Sequence, residues 1–299
     1  MESFYNACFT GNIDLVDQCI ANGEVDKIYA FYCATSCNLS VVERLLDYHQ
    51  IDPSCNNNFA ISNASDHGRL SVVERLLEDQ RVDPSAQNNL AIRNASTNGN
   101  LSVVERLLQD MRVDPSANNN DAVRYASCNG HLSVVDRLLM DQRVDPSDVH
   151  NYAIRFASSN NHLSVVERLL KDDRVDPSDQ NNWAIYWTSR HNRLSIVERL
   201  LKDSRINPSD DDNSAIRWAS INGHLSVVER LLMDLRFDMF FIDTEFHMIR
   251  PRTIDICLAL QSLDLPALLT LAILDALFPN GIAMHKKWRL ITIVKHFHD

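Results

Sequence analysis

The chain has 299 residues, of which 45% are apolar, and its formal net charge at pH 7 is −11. This apolar content is enough for one large core or for an extended array of small ones. The excess of acid argues against a nucleic-acid-binding surface, which needs clustered Lys and Arg, and against docking on anionic lipid. We therefore expect neither a nucleic acid nor a membrane among the partners.

Cysteine usage and the apolar segments favour a cytoplasmic location. The seven cysteines are scattered, and the closest two, Cys33 and Cys37, are one helical turn apart. An odd count without a Cys-x-x-Cys motif is typical of reduced thiols. Residues 1–19 lack the basic start and apolar run of a signal peptide. The longest apolar segment, residues 265–278, is too short to span a bilayer.

A helical phrase, LSVVERLL with small variations, recurs every 31 residues along most of the chain. A looser copy begins at Ile13, and the regular copies begin at Leu39, Leu70, Leu101, Leu132, Leu163, Leu194 and Leu225. Asp-Pro-Ser recurs with the same period, and Asn207-Pro208-Ser209 is a variant of it. A fixed period of this length predicts a solenoid in which each unit packs on its neighbours.

Each unit is predicted to hold two helices, of which the first is the shorter. In the unit that contains Asn89, the first helix reads NLAIRNAS, and Ala91, Ile92 and Ala95 share one of its faces. An Asn precedes this helix in six copies, where we predict that it is the N-cap. These are Asn58, Asn89, Asn120, Asn151, Asn182 and Asn213.

The second helix is the repeated phrase itself. Its apolar residues lie within an arc of about 160° on a helical wheel. In one copy these residues are Leu70, Val72, Val73, Leu76 and Leu77. Arg75 is on the opposite side, and we predict that it forms a solvent-exposed i,i+4 pair with Asp79. Asp-Pro then ends the helical segment, because the residue before proline is disfavoured in the α region.

The segments AIRNASTNGNLSVVERLL and SAIRWASINGHLSVVERLL resemble the ankyrin-repeat pattern T-P-L-H-x-A-A-x-x-G-H-x-x-V-V-x-x-L-L over about residues 4–238. Ile92 stands at the Leu of the pattern, Arg93 at its His, Ala95 and Ser96 at its Ala pair, and Gly99 at its Gly. The unit is two residues shorter than the family's, Asn-x-Ala replaces Thr-Pro, and Arg replaces His in four copies. We expect these arginines to bridge repeats in place of the family's Thr and His. They are Arg93, Arg124, Arg155 and Arg217.

The resemblance implies an all-α, ankyrin-like helix-turn-helix solenoid over residues 1–238. This array has about eight units, of which the first two are degenerate, and a helical module covers residues 239–299. The resemblance also implies that hairpins and first helices line a concave groove that holds a partner. Positions 90, 94 and 97 and their equivalents vary between copies and lie opposite Ala91, Ile92 and Ala95, so they form a stripe on that face.

The variable stripe is rich in aromatic residues, which is typical of protein-binding hot spots. Its candidate protein-binding residues are Phe59, Tyr125, Tyr152, Phe156, Trp183, Trp187, Arg190, Trp218 and Ile221. A second interpretation stays open, namely that the rings pack between neighbouring repeats. It applies to Phe156, Trp187 and Trp218 at the centre of the first helix, and also to Tyr152 and Trp183 at its start. The adjacent hairpins carry Asp148, Asp179 and residues 210–212, which favour a partner of basic and apolar character.

No catalytic motif stands out. The sequence has no His-x-x-x-His, phosphate-binding loop or nucleophile elbow. His131, His162 and His224 occupy the ankyrin turn position, where a structural role is expected. We predict a monomeric, non-enzymatic interaction scaffold with no catalytic residues, no metal site and no cofactor.

The period stops after Phe237, and residues 239–299 are predicted to form about three helices, 252–262, 266–278 and 283–297. The simplest role for them is to cap the last repeat. LPALLTLAILDALF followed by Trp288 weakly resembles an F-box, and PRTIDICLALQSLDLP weakly resembles a SOCS box. Either resemblance implies the alternative function, a substrate-recognition adaptor of a ubiquitin ligase.

Overall fold

The computed structural model describes residues 2–23, 26–47 and 51–234. The described part is all-α, as predicted, and contains no strand. Its helices are α1 (Glu2–Thr10), α2 (Ile13–Ala21), α3 (Lys27–Thr35), α4 (Leu39–Leu46), α5 (Cys55–Asp66), α6 (Leu70–Leu77), α7 (Ala86–Thr97), α8 (Leu101–Leu107), α9 (Ala117–Cys128), α10 (Leu132–Leu138), α11 (Asp148–Ser159), α12 (Leu163–Leu169), α13 (Asp179–Arg190), α14 (Leu194–Leu200), α15 (Asp210–Ile221) and α16 (Leu225–Leu232). None of these helices is long and apolar enough to cross a membrane. The predicted boundary at residue 238 and the module 239–299, with its F-box and SOCS-box resemblances, lie outside the described residues.

The contacts divide the chain into two compact units, Met1–Val175 and Asp176–Asp299. In both, the odd-numbered helices are the first helices of the repeats and the even-numbered helices are the second. In the first unit α5 packs on α7, α7 on α9 and α9 on α11, and each also packs on its own second helix. In the second unit α13 packs on α15 in the same manner.

The core consists of the residues that the helical periodicity selects. Val72, Val73 and Leu76 of the second helix α6 are buried, and so are Ala91 and Ile92 of the first helix α7. The small side chains allow neighbouring first helices to approach closely. The apolar face of the second helix packs against the first helix of the same repeat. Burial of such a face, and not helix propensity alone, stabilises segments this short.

The asparagine before the first helix is not an N-cap, and that prediction is wrong. Gln87, Asn88 and Asn89 all have positive φ, with values of 55°, 56° and 58°, and Asn tolerates this left-handed region better than most residues. The Asn89 side-chain oxygen accepts a hydrogen bond of 2.8 Å from the backbone N–H of Asp114, in the next repeat. The equivalent bond joins Asn120 to the residue 25 positions later, at 2.8 Å. The amide therefore links repeats.

The Asp-x-Arg sequence after each second helix forms another link. Arg112 donates to Asp110 at 2.7 Å and to the carbonyl of Val82, in the preceding repeat, at 2.9 Å. The hydrogen bond from Arg112 holds the pKa of Asp110 below its ordinary value.

The predicted ion pair of Arg75 with Asp79 is also wrong. Asp79 pairs instead with Arg81 at 2.7 Å, and Arg75 lies 3.7 Å from Glu78. The carboxylate is thus engaged by the arginine two residues later, because the loop turns that side chain back onto it.

The turn between the helices is held by the predicted structural histidines. His131 Nε2 lies 3.0 Å from the carbonyl oxygen of Thr97, at the end of the preceding first helix. His224 makes the same contact with Arg190 at 2.9 Å in the second unit. Gly99 has a φ of +75°, and a Cβ there would lie only 2.5 Å from the His131 ring. Glycine is therefore needed for close approach as well as for backbone conformation.

Candidate protein-interaction surface

The first-unit patch consists of Tyr125, Tyr152 and Phe156, on α9 and α11. Tyr152 and Phe156 are one helical turn apart, and their rings stack with centroids 4.0 Å apart. Tyr125, on the preceding first helix, meets the Tyr152 ring edge to face at 6.1 Å. Tyr125 is 37% exposed, whereas the other two rings are half-buried. The structure therefore brings together three of the predicted residues.

A buried charge network lies beside this patch. The Arg124 guanidinium is 4.6 Å from the centroid of the Tyr152 ring. The Asp121 carboxylate pairs with Arg124 at 3.1 Å and with Arg93, from the preceding repeat, at 2.6 Å. Arg93 bridges repeats as expected, and the carboxylate compensates the two guanidinium charges in part. Burial raises the pKa of Tyr152, so its hydroxyl stays protonated at neutral pH.

Phe59 is part of a separate pair. Its ring meets Tyr32 edge to face, with centroids 4.7 Å apart, and the Tyr32 hydroxyl lies 3.0 Å from Cys55 Sγ. Tyr32 was missed from the sequence because it lies in a degenerate repeat. It stands two periods before position 94, so extension of the repeat register to this segment identifies it.

The second-unit patch consists of Trp183, Trp187, Arg190 and Trp218, on α13 and α15. The centroids of the Trp183 and Trp187 rings are 5.3 Å apart. The Arg190 guanidinium lies 5.0 Å from the Trp187 ring and 4.3 Å from the Trp218 ring. Ile221, the last residue of α15, is half-buried. Every predicted residue of this unit is thus on α13 or α15, and four of them form a chain of contacts from Trp183 through Trp187 and Arg190 to Trp218.

Two further side chains belong to the second-unit patch and were missed from the sequence. The His191 ring stacks on Trp187 at 5.2 Å, and the Tyr186 ring meets Trp187 edge to face at 5.3 Å. Neither stands at a variable-stripe position, so the comparison of copies did not select them. Trp187 Nε1 is buried and has no hydrogen-bond partner within residues 51–234 or the other described segments, although the residue as a whole is only half-buried. Its ring therefore packs within the protein and still presents surface.

The acidic hairpin residues make hydrogen bonds within the protein. Asp148 accepts a bond of 2.9 Å from the side chain of Asn120, and Asp210 accepts one of 2.8 Å from Asn182. Their negative charges remain beside the first helices, but their positions are fixed by the repeats. In the described part of the chain, no group of three or more His, Cys, Asp or Glu could hold a metal ion.

Comparison with known proteins agrees with the helix-pair repeat. The family described as Ankyrin repeats (3 copies) matches residues 63–150, 89–181 and 153–240, which together cover more than half of the chain. A comparison with curated proteins finds none that matches. The matched residues include α7 to α16 and both aromatic patches. The chain therefore belongs to the ankyrin-repeat family, whose repeats are protein-interaction modules.

Proposed function

We propose that the chain is a non-enzymatic scaffold that binds another protein through the aromatic patches on its first helices, in the groove that ankyrin arrays use. We further propose that the repeat array extends over residues 1–238. The observation that carries the proposal is the second-unit patch. There Trp183, Trp187 and Trp218 are half-buried, at positions that the core of the repeat does not need.

The exchange between copies supports a binding role. At position 94 and its equivalents the chain carries Asn63, Asn94, Tyr125, Phe156 and Trp187, while the neighbouring core positions keep Ala and Ile or Val. A position that accepts both Asn and Trp is not determined by packing. Trp, Tyr and Arg are the residues that dominate hot spots in protein interfaces. The second-unit patch contains three Trp and one Arg, and the first-unit patch contains two Tyr.

The partner's character follows from what surrounds the rings. Its apolar side chains would pack on the exposed ring surfaces, and its basic groups would face the hairpin acids Asp148, Asp179 and Asp210. These carboxylates are held in place by the repeats, so their field is fixed before binding, which favours fast and specific association.

The test is the double variant Trp183→Ala and Trp187→Ala. Partners of the intact protein are first identified by crosslinking mass spectrometry from native cells, and their affinity is then measured by titration. We expect the double variant to lose more than about 1 kcal/mol of binding free energy while its helical circular dichroism is retained. Met111→Ala is the matched control, because this side chain is 95% exposed but lies outside the first helices.

Three outcomes would contradict the proposal. Loss of the helical signal would show that the tryptophan rings belong to the core, and unchanged partner affinity with the helical signal retained would show that they do not bind the partner. Equal weakening by Met111→Ala and by the double variant would show that the binding surface is elsewhere.

A further inference from the structure

A cation without a carboxylate partner lies in the second-unit patch. The Arg190 guanidinium is flanked by the Trp187 ring at 5.0 Å and the Trp218 ring at 4.3 Å. Its Nη1 donates to the Tyr186 hydroxyl at 2.9 Å. Among the described residues no Asp or Glu forms an ion pair with it. The aromatic rings thus hold the guanidinium in place but leave its charge uncompensated.

The first-unit patch shows what a compensated arginine looks like. Arg124 also lies against aromatic rings, but Asp121 pairs with it at 3.1 Å. Asp121 is the only acid at the first stripe position of the regular repeats. Arg190 stands at the third stripe position, four residues after the register of Arg124, and the first stripe position of the second unit holds Trp183 and Ser214. Neither first helix therefore supplies an acid equivalent to Asp121.

We propose that Arg190 binds a carboxylate of an Asp or Glu side chain on the partner protein, an inference that rests on the proposed function. The two rings stabilise the guanidinium by cation–π attraction. Among the residues that the structure describes, only Nη1 of this guanidinium donates a hydrogen bond, and neither Nε nor Nη2 is buried without a partner. A carboxylate matches two N–H groups of a guanidinium in a bidentate arrangement. The rings lower the local dielectric and reduce screening of that pair.

The geometry also specifies what surrounds this carboxylate. The exposed ring surface beside Arg190 is apolar, so the acid must be next to an apolar or aromatic side chain that packs on Trp183. An Asn or Gln in place of the acid brings an NH₂ group toward the guanidinium donors, which disfavours it. The recognised segment is therefore acidic at this point, although basic groups meet the hairpins elsewhere.

The experiment is a selection from a random peptide library displayed on phage, with the full-length protein as bait. Selected peptides are synthesised and titrated against the intact protein, Arg190→Gln, Arg190→Lys and the double variant Trp183→Ala/Trp187→Ala. Arg199→Gln is the matched control, because Arg199 is a half-buried arginine on the second helix α14 of the same unit. Isothermal titration calorimetry provides the readout, since the double variant lacks two of the three tryptophans of the patch and a fluorescence signal would change with it.

We expect the selected peptides to be enriched in Asp or Glu adjacent to an apolar residue. Arg190→Gln should weaken them at least tenfold, and Arg190→Lys should weaken them severalfold because the planar fork is lost. Arg199→Gln should change their affinity less than twofold. Added salt should weaken binding to the intact protein more than binding to Arg190→Gln.

Enrichment in Lys and Arg alone, or equal affinity for the intact protein and Arg190→Gln, would overturn the assignment of Arg190. If binding then still depended on Trp183 and Trp187, the proposed function would stand and only this inference would fail. Peptides that bind equally to the tryptophan double variant, or a selection that yields no binders, would overturn both.

Discussion

A column of buried serine hydroxyls makes a direct prediction about stability. Ser96 is fully buried in α7, and its Oγ has no hydrogen-bond partner among the residues that the structure describes. The same holds at 31-residue intervals for Ser65, Ser127, Ser158 and Ser189. A buried hydroxyl without a partner costs about 1–3 kcal/mol. The ankyrin pattern has Ala at this position, so Ser96→Ala should raise the free energy of unfolding by about 1–2 kcal/mol.

Ser62→Ala is the matched control, because Ser62 is also buried on a first helix of the same unit. Its hydroxyl donates to the Phe59 carbonyl at 2.9 Å. Both substitutions gain the same few tenths of a kcal/mol of helix propensity, so the difference between them reports the hydrogen bond alone. We expect Ser62→Ala to be neutral or to destabilise the protein by about 1 kcal/mol.

Urea denaturation followed by circular dichroism measures the effect as a shift of the midpoint at unchanged slope. Ser158→Ala should add to Ser96→Ala, because two repeats separate the sites and they share no partner. If Ser96→Ala destabilised the protein as much as Ser62→Ala, the Ser96 hydroxyl would have a partner, such as a buried water. The predicted gain in stability would then be wrong.

Three other substitutions test the links between repeats and the tryptophan packing. Asn120→Gly keeps the left-handed backbone but removes the hydrogen bond from the Asp145 N–H, so it should lower the free energy of unfolding by about 1–3 kcal/mol. Unchanged stability in urea denaturation would contradict the role of Asn120 as a link between repeats. Burial lowers the pKa of His162 below its ordinary value of 6.5, so its contribution to stability should be complete above pH 6.5 and be lost as the pH falls below it. His162→Asn should reduce the pH dependence of the melting temperature between pH 5 and 8, because Asn100 occupies the same turn position with a neutral amide. An unchanged dependence on pH would exclude His162 as its source. Trp187→Phe removes a buried N–H without a partner, so its melting temperature should stay equal or rise, and a clear fall would show that the indole N–H is bonded.

Much of the fold could be predicted because the chain repeats itself. The 31-residue period predicts the helix pairs, and the spacing of Val72, Val73 and Leu76 predicts the buried face of a helix without knowledge of the neighbouring repeat. The predictions that failed concern polar contacts. The sequence position of Asn89 alone predicts an N-cap. Its true donor, the backbone N–H of Asp114, could not be identified from the sequence because that contact depends on how the next repeat packs. The carboxylate of Asp79 was paired with the wrong arginine because the path of the loop is not encoded in helical spacing.

The candidate site was predictable to a similar degree. Comparison of the copies selected Trp183, Trp187 and Trp218, and the structure brings the rings of Trp187 and Trp218 within 5.0 Å and 4.3 Å of the Arg190 guanidinium. The sequence could not show this arrangement, because it depends on the distance between two first helices that are one repeat apart. His191 also joined the patch through three-dimensional packing, at a position outside the variable stripe.

The bond between each Asn and the backbone N–H 25 residues later has a consequence for how such a chain can change. In the first unit the bond occurs with the same register at Asn58, Asn89 and Asn120. Removal of residues 90–120, for example, would set Asn89 against Asp145 instead of Asp114 and recreate the same junction. Copy number can therefore vary by whole repeats with no mismatched seam. The order of the aromatic rings on the first helices would change at the same step, so, if the proposed function holds, recombination between copies would alter the candidate interaction surface without disturbing the fold.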